Sequence, residues 1–109
     1  MVSPLTETLS ASVAKAEEVK KGVKNIVSYV STLNKYIELS WQNNEEDANE
    51  YWIYRSSAGQ ELSLVSVLPS TKKRFVDEDV KPSSSYKYAI KVLYKDGRSS
   101  KMERIEVAY

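Results

Sequence analysis

The stretch DVKPSSSYKYAIKVLYKDG, residues 79–97, decides the fold. Pro82 has no N–H to give to a strand ladder, and Ser83, Ser84 and Ser85 suit a turn. Beyond them Tyr86, Tyr88, Ile90 and Val92 alternate with Lys87, Ala89, Lys91 and Leu93. Period two sends one set inward and the other outward, so this is a strand with two different faces. Asp96 and Gly97 then form a strong hairpin signal. The return strand places Ile105, Val107 and Tyr109 on one face.

The same pattern recurs upstream. In YIELSW, Ile37, Leu39 and Trp41 face one side; in YWIYRS, Tyr51 and Ile53 oppose Trp52 and Tyr54. ELSLVSVLP is an apolar, β-branched run stopped by Pro69, and RFVDEDV is a short strand closed by charge. VKNIVSYVST, before the turn at Asn34 and Lys35, supplies one more. Seven short strands between about residue 23 and the end predict an all-β, seven-stranded antiparallel sandwich or barrel preceded by an N-terminal arm. The expected core is Ile37, Leu39, Trp41, Tyr51, Ile53, Phe75, Tyr86, Tyr88, Ile90, Val92, Ile105 and Val107.

Composition narrows the function. The 109 residues match one domain of modest stability. Lys and Arg number 16 against 15 Asp and Glu. That balance argues against nucleic-acid binding, which needs a concentrated basic face. No apolar run reaches membrane-spanning length. The absence of Cys and His removes disulfides, thiolate and imidazole metal ligands, Cys nucleophiles and the usual general base, so that no His can activate the plentiful serines. No cofactor and no enzymatic activity are expected.

Together, IELSW, YWIYRS, FVDEDVKPSSSY and YKYAIKVLYKDGRSS resemble a fibronectin type III domain, most of all its bacterial members. The resemblance covers residues 23–109 and implies an immunoglobulin-like sandwich. It makes Trp41 the buried tryptophan of the second strand and Tyr86 the tyrosine of the corner before the sixth. Val80, Lys81 and Pro82 stand where the family has leucine, lysine and proline, and Phe75 and Asp77 match its aromatic-then-Asp strand. The Arg-Gly-Asp loop of some members does not carry over, because KDGR has the order wrong.

The carboxylates of NNEEDANE, residues 43–50, read as a solvated loop in preference to a calcium or acid–base site. Lys72, Lys73, Lys95 and Arg98 are expected nearby to offset their charge. Asp77, Glu78 and Asp79 read as solvated at the other end. More informative is the outward face. Trp52 and Tyr54, Lys91 and Leu93, and Met102 and Arg104 fall on three strands that are neighbours in this fold, giving a candidate partner-binding patch. A second reading, cation–π packing of Lys91 and Arg104 across Trp52, stays open beside it. A sugar-binding use of Trp52 and Tyr54 lacks a supporting polar constellation.

Residues 1–22 form an arm or linker. They read either as a helix stopped at Gly22 or, from the likeness of residues 3–13 to residues 99–109, as the last strand of a preceding repeat. The expected function is a non-catalytic spacer or contact module of a larger extracellular, cell-surface or periplasmic protein. Protein partners or neighbouring repeats are expected, with no nucleic acid and no membrane insertion. Alternatives are a subunit that self-associates through its arm and a carbohydrate-binding accessory module.

Overall fold

Alternating side chains resolve into seven strands in the computed structural model, which describes residues 20–57 and 59–109. They are β1 (Lys24–Ser31), β2 (Tyr36–Gln42), β3 (Ala48–Ser57), β4 (Ser63–Pro69), β5 (Arg74–Asp77), β6 (Ser85–Tyr94) and β7 (Glu103–Ala108). Two antiparallel sheets result, in the orders β1-β2-β5 and β4-β3-β6-β7. Both readings of the arm, and the repeat-like residues 3–13, fall mainly or wholly outside the described residues.

The core lies between the sheets. Ile37, Leu39 and Trp41 from β2 meet Tyr51 and Ile53 from β3, Tyr86, Tyr88, Ile90 and Val92 from β6, and Val107 from β7. All ten are buried. Phe75 and Ile105 pack against this cluster but are only half-buried. Each sits on an edge strand, where solvent reaches one flank. Tyr94 extends the inward series of β6 by one residue and is also buried. Trp41 packs edge-on against Tyr51, with centroids 5.4 Å apart and planes at 76°, a favourable aromatic geometry. Among the described residues its indole N–H, a buried donor, has no hydrogen-bond partner.

The opening stretch makes the corner between the sheets. The Lys81 N–H donates to Tyr86 Oη at 2.8 Å, which ties the start of β6 back to the chain before Pro82. Ser83 takes φ of 59° there. At the far end of β6, Gly97 takes φ of 89°, a left-handed conformation in which a Cβ is strained. Its N–H donates to the Tyr94 carbonyl at 2.9 Å, closing the hairpin into β7.

Trp41→Ala should cost about 3–5 kcal/mol and unfold much of so small a domain. Trp41→Phe deletes the unpartnered N–H along with ring volume and should cost clearly less. Tyr86→Phe should lose about 1 kcal/mol, the net worth of one hydrogen bond. Urea unfolding of the three variants measures all of these, and a Trp41→Ala protein as stable as the parent contradicts the packing.

Candidate functional site

Charge meets the core first at Asp77. Its neighbours on β5 and β2 fix its direction, since Asp77 pairs with inward-facing Ile37 and Phe75 pairs with inward-facing Leu39. Asp77 is buried, which corrects the expectation that it is solvated alongside Glu78 and Asp79. Two groups from the opposite sheet satisfy it. Arg55 Nη1 donates to both its oxygens, at 2.9 and 2.8 Å. Tyr88 Oη donates to Oδ2 at 2.6 Å. Arg55 and Tyr88 are themselves cross-strand partners on β3 and β6. Burial raises the Tyr88 phenol pKa well above its ordinary value, and the bond to Asp77 adds to the rise. Burial disfavours the Arg55 charge, but the hydrogen bond and charge of Asp77, with the charge of Asp79, outweigh it and raise its pKa.

The outer face of the four-stranded sheet follows from the same parity. Reading across the strands in register, Val67, Trp52 and Lys91 form one row. Leu64, Tyr54, Ala89 and Arg104 form the next. Lys91 Nζ lies 5.4 Å from the Trp52 ring centroid and 5.7 Å from that of Tyr54. Trp52 Nε1 donates to Glu50 Oε1 at 3.1 Å, fixing the ring from its polar edge. Trp52, Tyr54, Lys91, Leu93 and Met102 are half-buried, and Arg104 is exposed. Leu93 pairs with Glu50 at one end of the face, and Met102 leads into β7.

Two corrections attach to this face. Ala89 is completely buried although its parity points outward; its methyl group is short and flanked in register by Tyr54 and Arg104. Leu64 and Val67 belong to the face and are exposed at 45% and 43%, although their spacing in the sequence does not alternate. A bulge opposite Ile53 explains why, because it puts residues three apart on the same side of β4 and breaks the period-two pattern.

The end carrying residues 43–50 is occupied by the start of the described chain. Lys20 Nζ reaches Asp47 at 3.3 Å and Asp96 at 3.6 Å, and sits 4.8 Å from the Tyr94 ring centroid. Lys21 Nζ approaches Glu45 at 3.8 Å, and its carbonyl accepts the Tyr94 hydroxyl. Gly22 lies so close to β7 that a Cβ would come within 2.9 Å of the Glu103 side chain. The charge offset expected from Lys72, Lys73, Lys95 and Arg98 therefore comes from Lys20 and Lys21, while Arg98 pairs with Asp96 at 3.0 Å. Residues 20–23, Gly22 among them, have no regular secondary structure and lead into β1. Among the described residues no group of three or more Asp and Glu side chains is arranged to hold a metal ion. Burial, with the nearby charges of Glu45 and Asp47, pushes the Tyr94 phenol up to about 12.

No protein-family model matches the chain, and no curated protein matches it. Solved structures do. An Fn3-like protein from Clostridium thermocellum aligns with TM-score 0.66 and 18% identity over 80% of this chain and 90% of that one. The FN1-FN3 domains of chicken CNTN1 align at TM-score 0.70 and 15% identity, over 82% of this chain and 32% of theirs. Pectate lyase Pel3 from Pectobacterium carotovorum aligns at TM-score 0.68 and 20% identity, over 82% of this chain and 27% of the enzyme. The chain thus spans most of the first and about a third or less of the other two. At these identities the likeness establishes the fold, which is that of a fibronectin type III domain.

Tyr94 yields a pH test. A phenol whose pKa is higher folded than unfolded stabilises the fold fully below about pH 10 and loses that contribution as pH rises toward its folded value. Tyr94→Phe should be less stable than the parent at about pH 8, through loss of the bond to Lys21, and the gap should narrow by about pH 11. Urea midpoints at the two pH values check this; a gap that widens contradicts the assignment.

Proposed function

We propose that this chain is a non-catalytic spacer and contact module of a larger extracellular or cell-surface protein, and that it makes contact through the outer face of its four-stranded sheet. The observation that carries this reading is the continuous strip formed by Leu64, Val67, Trp52 and Tyr54, with Lys91 laid over both rings. Aromatic and cationic side chains around exposed aliphatic ones have the composition of binding hot spots. The other sheet also exposes apolar groups, Val27, Tyr29 and Val76. They are split by polar side chains on the central strand, since Tyr29, Glu38 and Val76 share one row and Glu38 pairs with Arg74 at 3.6 Å.

The ends of the domain fit a spacer. Lys20 sits beside Asp47 and Asp96. Tyr109 is held at the opposite end, where its N–H donates to the Ser84 carbonyl at 2.8 Å. A chain passing through the domain therefore enters at one end and leaves at the other. Carbohydrate stacking fits less well, because Lys91 already takes a place over the rings a sugar would use.

A photo-cross-linking residue placed at Tyr54, within the protein that carries this module, should capture a neighbouring module or a partner protein. The same residue at Val76 should capture little. Equal yields at the two positions, or none at Tyr54, contradict the assignment of the contact face.

A further inference from the structure

The outer face of the four-stranded sheet is divided lengthwise by charge. Its β4 and β3 half is apolar and aromatic, with Leu64 and Val67 from β4 and Trp52 and Tyr54 from β3. Its β6 and β7 half carries three cations, Lys87, Lys91 and Arg104. Two carboxylates share the face, and both are engaged. Glu50 accepts the Trp52 indole N–H at 3.1 Å, and Glu106 lies 3.9 Å from Lys87 Nζ. Lys91 and Arg104 are left over. Lys91 rests on the Trp52 and Tyr54 rings. Among the described residues neither cation has a carboxylate within ion-pair distance.

Both flank Ala89. In register, Ala89 has Arg104 on one side and Tyr54 on the other. Lys87 and Lys91 stand two residues before and after it on β6, facing the same way. A short methyl group is thus framed by three cations and one aromatic ring. An open cavity lined by Lys87, Arg104, Ile105 and Glu106 lies beside the frame, on its β7 side. While water surrounds them, these cations gain little from an anion. A partner laid on the face excludes that water. Pairing with an acid then strengthens, and a cation covered without an acid becomes costly. The frame therefore discriminates twice, in favour of a partner that brings a carboxylate and against one that brings an apolar or cationic group.

We propose that the contact face selects protein segments that present an Asp or Glu carboxylate close to an apolar side chain. The acid meets Lys91 and Arg104 above Ala89, and the apolar group meets Tyr54 and Leu64. Charge complementarity names this occupant. From Ala89 it is one strand spacing to Tyr54 and two to Leu64, about 5 and 10 Å. Side chains two apart in an extended segment are separated by about 7 Å, which falls between these values. The inference rests on the proposed contact role and adds the chemistry of the partner.

Titration of the isotopically labelled full chain, followed by nuclear magnetic resonance, tests it. The probe is the N-acetylated, amidated tripeptide Leu-Thr-Glu, with Leu-Thr-Gln and acetate beside it. Leu-Thr-Glu should shift the Trp52 indole N–H and the Tyr54 and Ala89 amides. Leu-Thr-Gln should bind about tenfold more weakly, or worse. Arg104 is exposed, so Arg104→Gln should leave the unfolding midpoint unchanged while weakening the Leu-Thr-Glu peptide about tenfold. No shift with Leu-Thr-Glu, or equal binding of the two peptides, overturns the proposal. So does acetate that binds as well as Leu-Thr-Glu, which would mark the frame as the seat of an adventitious ion only. Cross-linking from Tyr54 reads the contact role separately: cross-links undiminished by Arg104→Gln sink the acid selectivity alone, and peptide selectivity without cross-links sinks the contact reading alone.

Discussion

A single carboxylate, that of Asp77, ties the two sheets together by hydrogen bonds. It comes from β5 and receives Arg55 from β3 and Tyr88 from β6, three hydrogen bonds crossing the interior at one end of the sandwich. Burying a charge costs several kcal/mol unless bonds replace its hydration. Here the partners are a guanidinium and a phenol already held side by side by the ladder between β3 and β6. Apolar packing brings the sheets together but is weakly directional. The Asp77 bonds add direction. They hold Arg55 inward, and with it the alternation of β3 that turns Tyr51 and Ile53 to the core and Trp52 and Tyr54 to the surface. A slip of β3 by one residue would exchange those faces and leave Asp77 buried without its cation.

The opposite end is built from weaker parts. Lys20 and Lys21 meet Asp47, Asp96 and Glu45 in partly exposed pairs, of a kind that contributes little individually and is screened by salt. The buried Tyr94 gives that end its specificity, with Lys20 over its ring and the Lys21 carbonyl on its hydroxyl. The entry of the chain is thus oriented by one aromatic side chain, while the exit at Tyr109 is fixed by main-chain bonding to Ser84.

Most of the fold was legible because period-two alternation survives in β2, β3 and β6, whose inward residues are large and apolar. The corner at Tyr86 was legible because proline cannot donate to a continuing ladder and the serines after it suit a turn. The functional picture was harder to read. Asp77 sits in the run DED, and composition alone cannot separate one buried carboxylate from two solvated neighbours. The missed signal was Arg55, which continues the inward parity of Tyr51 and Ile53; a cation on an inward position calls for a buried acid. Leu64 and Val67 were hidden by a bulge that alternation does not announce. The seat of Lys20 and Lys21 depends on contacts between residues far apart in sequence, and no local pattern encodes it.

The most direct measurement is the unfolding free energy of Asp77→Ala beside Tyr88→Phe and the double variant. If Asp77 orients the sheets, its removal leaves Arg55 only its outer contacts with Asp79 and should cost about 3 kcal/mol. Tyr88→Phe should cost about 1–3 kcal/mol. The double variant should lose clearly less than the sum, because the two deletions remove one shared bond. An Asp77→Ala protein of parental stability, or losses that simply add, would show that apolar packing alone sets how the sheets meet.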